Sequence, residues 1–302
     1  MTSIITPNTI SELREIRFTD PAAIARAWQS RSRRTIVGED SRLFIVAADH
    51  PARGAMKVGS DPLAMADRVD LVTRLAAALS RPGVDGVLAT ADILDDLAFL
   101  GHLENKLAVG SMNRGGLAGS NFEIDDRFTG HTVGQMARDG IDLAKTLLRI
   151  NLGDPATASA LEANANAVNA CAAADLPIMI EPFMNEWADD RVRNQLTPEA
   201  VINSIGIAQG LGATSSHTWL KIPVVDDMEK VMAATTLPTL LLGGERSDDP
   251  EATFRSWENA LALPGVRGLV TGRSIIYPAD GDVVSAVDRA AGLVHAPERM
   301  FA

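Results

Sequence analysis

Two lysines and a glutamate stand near the ends of three short apolar runs: Lys145 in IDLAKTLLRIN, Glu181 in LPIMIEP and Lys221 in HTWLKIPVV. An ammonium group in apolar, strand-like sequence is costly unless its charge is paired or its pKa falls. A neutral amine is also the nucleophile that carbonyl chemistry needs, and a nearby carboxylate is a proton-transfer group. The types and spacing therefore suggest covalent chemistry on a carbonyl compound. Asp49, in VAADHPARG, is a fourth candidate of the same kind.

Strand parity sharpens the assignment. It places Trp219, Lys221 and Pro223 on one face and Leu220 with Ile222 on the other, so Lys221 points inward if the aliphatic pair packs beneath outer helices. A lysine at a strand end that reaches out to water is the bland alternative. Lys145 shares its face with Leu143, Leu147 and Arg149. A second cation there depresses an amine's pKa and holds an anionic substrate, whereas an ion pair of Lys145 with Glu181 or Asp49 is a purely structural use of the same residues. Glu181 precedes Pro182, which favours extended backbone and puts the carboxylate at a strand end. His50 reads as a loop residue.

The elements that must position these groups are eight apolar runs, at 43–48, 86–90, 107–111, 143–150, 177–181, 218–222, 239–243 and 268–272. Most are continuous rather than alternating, as in parallel strands buried on both faces. Helix starts are marked by a capping residue followed by proline: Asp20-Pro21, Asp61-Pro62, Asp154-Pro155, Thr197-Pro198 and Asp249-Pro250. No GxGxxG follows the first strand, so the pattern predicts a closed (β/α)8 barrel over 41–302 rather than an open dinucleotide-binding sheet. Residues 1–40 are expected to form a helical N-terminal extension, with Leu13, Ile16, Ile24 and Trp28 packing on the barrel. Barrel enzymes carry their chemistry at the C-terminal strand ends. That adds Asp92, Asn113 and Arg114 to the candidates, together with Gly243, Gly244, Gly272, Arg273 and Ser274 after the seventh and eighth strands, where barrels often cradle phosphate.

The whole chain sets the limits. Its 302 residues are 46% hydrophobic and 22% charged, enough apolar material for one large core. A net charge of -11 opposes binding to nucleic acid. The basic stretch at 30–34, SRSRR, reads as a solvated linker. Cys171 is the single cysteine, which excludes an internal disulfide and fits a reduced, cytoplasmic setting. No apolar run reaches membrane-spanning length, and the five histidines show no metal-ligand spacing, so neither a membrane nor a metal or other cofactor is expected.

Over roughly 44–278 the chain resembles the Schiff-base (class I) aldolases of the tagatose-bisphosphate aldolase and DhnA type, most closely in GIDLAKTLLRINLGDP, LPIMIEPFMNE, HTWLKIPV, LLLGGE and GLVTGRSIIYP. The resemblance implies that Lys221 forms an imine with a phosphorylated keto sugar, such as a deoxy-keto-gluconate phosphate, without a metal. It implies that Lys145 tunes the amine and binds an oxyanion, that Glu181 moves protons and that Asp49 orients a hydroxyl or Lys221 itself. Arg149, Gly243, Gly244, Gly272, Arg273 and Ser274 would hold substrate and phosphate, and the protein would be a homo-oligomer. The loop after the seventh strand reads GGERSDD where relatives often read GGPK, and the first loop reads DHPARG where DQRG is commoner. A thiolase-like acyl transfer on the same lysine, and a non-catalytic sugar-phosphate-binding barrel, are the alternatives.

Overall fold

The computed structural model describes residues 5–244 and 249–296. Its strands are β1 Leu43–Ala47, β2 Gly86–Ala89, β3 Leu107–Ser111, β4 Leu143–Ile150, β5 Ile178–Ala188, β6 Arg191–Asn194, β7 Thr218–Ile222, β8 Thr239–Leu242 and β9 Val266–Thr271. Parallel pairing runs β1-β2-β3-β4-β5-β7-β8-β9 and closes from β9 to β1, which is the (β/α)8 barrel the sequence predicts. Helices α1 Pro7–Thr19 and α2 Ala22–Ser30 precede it. Around it lie α3 Arg68–Leu79, α4 Ala91–Phe99, α5 Val133–Asp139, α6 Ala156–Ala173, α7 Pro198–Gln209, α8 Met228–Met232, α9 Pro250–Leu261, α10 Arg273–Ile276 and α11 Val283–Val294. No helix among the described residues is long and apolar enough to cross a membrane.

The core divides in two because each strand buries both faces. One cluster, including Leu43, Ile45, Leu88, Val109, Met179 and Leu240, fills the barrel interior, while Phe44, Val46, Val87, Ile180 and Leu220 pack outward beneath the helices. Cys171 lies in the outer layer on α6, where burial pushes its thiol up to about 12.

Helix starts follow the capping signals with one exception. Thr197 and Asp249 accept from the backbone N–H groups of Ala200 and Ala252, and Asp154 accepts from Ala156. Asp61-Pro62 begins no helix: it lies in a turn, and α3 starts six residues later with Asp67 accepting from Asp70 N–H. In the extension, Leu13, Ile24 and Trp28 are buried and Ile16 half-buried. Trp28 Nε1 donates to Asp95 of α4 at 2.8 Å, and Arg17 pairs with Asp96 at 2.8 Å.

The stretch 30–34 is not a solvated linker. Arg31 is buried and donates to the carbonyls of Lys106 and Gly140 and to Asp142 at 3.1 Å; Arg33 joins it on Asp142 at 2.9 Å, and Arg34 pairs with Asp85. Asp85 and Asp142 immediately precede β2 and β4, and each also accepts a backbone N–H from an adjoining strand, Phe44 at 2.7 Å and Ala108 at 2.9 Å. The arginines thus brace the floor of the barrel, the end opposite the site.

Strand five also runs on. Instead of stopping at Glu181, β5 continues through Pro182 to Ala188 and turns back as antiparallel β6. Pro182 is tolerated because pairing with β7 ends at Ile180, so its missing N–H falls where β5 leaves that neighbour. Asp189 and Asp190 make the hairpin turn, both with positive φ.

Candidate active site

The barrel interior is apolar along its lower part and turns abruptly charged above it. On β1, Leu43, Ile45 and Ala47 are followed by Asp49; on β5, Met179 is followed by Glu181; on β7, Trp219 is followed by Lys221. Lys145 of β4 pairs in register with Met179 and Ser111, which sets it beside that layer.

The charges alternate along a connected chain. Lys221 Nζ donates to Glu181 Oε1 at 2.9 Å, and Lys145 Nζ contacts Glu181 Oε2 at 2.5 Å and Asp49 Oδ2 at 3.4 Å. The Asp49 carboxylate also contacts Arg114 and accepts from Ser111 Oγ at 3.1 Å. Three cations therefore face two carboxylates, and all five side chains are largely withdrawn from water. Burial, reinforced by the Arg114 guanidinium, pushes the Lys145 ammonium well below its ordinary pKa and lowers that of Lys221, while Glu181 opposes both shifts. Burial alone would raise Glu181; Lys145, Lys221 and Arg114 outweigh it and hold the carboxyl below its usual range. A cluster with one surplus positive charge sheds a proton at reduced cost, which favours the free-base form of an amine. Lys145 is fully enclosed, whereas 6% of the Lys221 side chain is exposed, so Lys221 is the amine that faces the mouth.

Arg149 lies one pleat repeat beyond Leu147 but does not join this chain. It contacts Asp126 at 3.3 Å and Glu123 at 3.4 Å, carboxylates of the loop between β3 and α5, and Glu123 also takes Arg53 at 3.2 Å. Its charge is balanced inside the protein. Asn113 extends the β3–β4 pairing by side chain, its Oδ1 accepting from Leu147 N–H at 2.7 Å and its Nδ2 donating to Leu147 O at 2.6 Å. Asp92 sits at the start of α4, paired with Arg68 and Thr90, apart from the site.

The glycines flank the mouth at the ends of β8 and β9. A Cβ on Gly272 would meet Ala47 O at 2.2 Å, so only glycine lets β9 pass β1 there; one on Gly243 would overlap Thr271 Oγ1 at 1.8 Å. Gly244 has φ +68 and is exposed. Ser274 Oγ shares a 2.8 Å hydrogen bond with Thr271 Oγ1, and Arg273 Nη1 donates to Lys57 O at 3.4 Å. Glu245 and Arg246, which the sequence also places near this rim, lie outside the described residues. Arg114 is the central residue that strand parity alone did not commit to the site: it follows the inward Asn113, and its reach back to Asp49 depends on side-chain length rather than periodicity. Among the described residues no group of three or more His, Cys, Asp or Glu side chains is arranged to hold a metal ion.

Fold and site together define a (β/α)8 barrel with a buried lysine–carboxylate cluster at its C-terminal mouth. The model of the Cgl0159-like family matches residues 41–291, and the chain belongs to that family. A crystal structure of Cgl0159 from Corynebacterium glutamicum (Brevibacterium flavum) is 60% identical with a TM-score of 0.95, covering 97% of this chain and 98% of that one. A Schiff base forming fructose-1,6-bisphosphate aldolase has the same fold at 19% identity and TM-score 0.64, with 90% of this chain and 100% of that one covered. So does an archaeal fructose-1,6-bisphosphate aldolase whose catalytic Lys is covalently bound to the carbinolamine intermediate, at 19% identity and TM-score 0.62, covering 90% and 99%. The expected kinship with Schiff-base aldolases is thus met at the level of the barrel, while the family is the Cgl0159-like one. Comparison with curated proteins finds no match.

Proposed function

We propose that this protein is a class I aldolase that makes or breaks a carbon–carbon bond in a phosphorylated keto sugar through an imine on Lys221. The observation that carries the reading is the surplus positive charge of the buried chain Lys221–Glu181–Lys145–Asp49–Arg114. Neutral Lys221 attacks the substrate ketone, water leaves, and the protonated imine accepts the electrons of the breaking bond. Glu181 stays ionised, fixes the direction of the Lys221 amine through its 2.9 Å hydrogen bond and passes protons from that nitrogen to the departing hydroxyl without keeping one. Lys145 and Arg114 favour the neutral amine and stabilise developing negative charge on the carbinolamine oxygen, in a water-poor site where such contacts count most. Asp49 holds Lys145 and Arg114 in place. The glycine backbones of 243, 244 and 272, with Arg273 and Ser274, would receive the terminal phosphate, and Arg149 supports the wall formed by the β3–α5 loop.

Borohydride added with dihydroxyacetone phosphate, the three-carbon ketone phosphate released by cleavage of keto-sugar bisphosphates, should attach substrate mass to the peptide containing Lys221. Lys221→Met should abolish the adduct. An unlabelled Lys221 under conditions of turnover rejects the reading.

A further inference from the structure

Cleavage by this route requires a group that removes the proton from a substrate hydroxyl as the carbon–carbon bond breaks and later returns it to carbon. The two carboxylates are poorly suited. Glu181 accepts from both lysines and stays ionised, and Asp49 is engaged by Arg114, Lys145 and Ser111. Tyr277, the single tyrosine, packs on Arg74 of α3 with the guanidinium 4.5 Å from the ring centre.

His50 fills the gap. It follows Asp49 where the chain leaves β1, and a helical backbone conformation (φ -65, ψ -41) at the start of the turn Pro51–Arg53 folds it against the β9–α10 corner. A Cβ at Gly272 would lie 3.0 Å from its Cε1, so the ring occupies the space that glycine leaves open. Its Nδ1 is 4.0 Å from Asp49 Oδ1, neither ring nitrogen hydrogen-bonds to a described residue, and 20% of the side chain is exposed. The charged groups around it are Asp49 beside it, Arg53 of its own turn, Glu181 of β5, Lys221 of β7 and Arg273 of α10. Burial and then the cations Arg273, Lys221 and Arg53 push its pKa well below the ordinary value, and Glu181 only partly opposes them. The imidazole is neutral at neutral pH, so it accepts a proton first and donates it second.

We propose that His50 is the catalytic proton carrier of this site, working between the substrate and the Lys221 imine. The nitrogen turned away from Asp49 takes the hydroxyl proton; the O–H electrons become the carbonyl of the departing aldehyde. The carbon–carbon pair moves into the iminium to give an enamine. His50 then returns the proton to the enamine carbon, and water hydrolyses the restored iminium to the ketone and the free amine.

This inference rests on the Schiff-base reading, and dihydroxyacetone phosphate separates the two. Borohydride adducts at Lys221 report imine formation alone; exchange of the substrate C–H for deuterium in D2O, followed by NMR, needs the imine and the proton carrier. The wild type should show both. His50→Gln and His50→Asn should keep adduct formation within about threefold yet lose exchange by about 10²–10³-fold, and added imidazole should restore part of it to His50→Ala. Wild-type exchange in both variants, adduct and exchange falling together, or a wild type that forms the adduct without exchanging each overturns the role of His50. A wild type that forms no adduct overturns the Schiff-base reading itself.

Discussion

At the scale of single residues, the cluster's charge count makes stability and activity diverge. Removing Lys221 leaves two cations against two carboxylates, so Lys221→Met should abolish imine formation while leaving the fold as stable as the wild type or more so, by about 1 kcal/mol. Removing the carboxylate has the opposite effect. Glu181→Gln leaves three buried cations facing Asp49 alone, and it should cost about 3–5 kcal/mol, the range for stripping one partner from a buried ion pair. Urea denaturation of the two variants checks this contrast, and equal losses in both would show that the cluster is not over-supplied with positive charge. Much of this site was legible from sequence because barrel strands obey a period of two: Lys145, Glu181, Lys221 and Asp49 each fall on an inward-facing series. What parity could not give was the partner of Arg149, since Glu123 and Asp126 come from a long loop with no periodicity, or the reach of Arg114, which starts beyond the strand and folds back.

Between elements, the N-terminal extension and the barrel floor are joined by buried charge rather than by apolar packing alone. Asp142 holds Arg31, Arg33 and the N–H of Ala108 at once, with its side chain 1% exposed. Asp142→Ala would leave the buried Arg31 guanidinium and a strand N–H short of an acceptor, and it should destabilise the protein by about 3–5 kcal/mol. Because this joint is at the opposite end of the barrel from Lys221, adduct formation at a temperature where the variant stays folded should be unchanged; a parallel loss would mean the two ends are coupled. SRSRR gave no hint of this, since a run of arginines between a helix and a strand looks the same whether it meets water or two aspartates distant in sequence. The β5–β6 hairpin was hidden for another reason. Proline after Glu181 is an ordinary strand terminator, and an Asp-Asp turn lacks the glycine that usually betrays two successive left-handed residues.

For the whole molecule, the two chain ends of the barrel meet on one side of the floor, at His295. This residue follows α11 and contacts Asp40 through Nδ1, while Nε2 is 3.1 Å from Gly83 O and 3.3 Å from Asp85 Oδ2. Burial alone would lower its pKa, but hydrogen bonds to Asp85 and Asp40 prevail and raise it from 6.5 to about 9. The folded state therefore holds a proton that the unfolded chain releases at lower pH. The resulting stabilisation is complete below about pH 6.5 and disappears as the pH rises towards 9, a change on the order of 2–3 kcal/mol. Lys145 and Lys221 act in the opposite sense, since their depressed values make the folded state gain stability as pH rises. The clean measurement is thus a difference: denaturant midpoints of wild type and His295→Gln, each at pH 6 and pH 9.5. The gap between them should be largest at the lower pH and close at the higher one, and a gap that stays constant would show that His295 joins the chain's end to the barrel without using its charge.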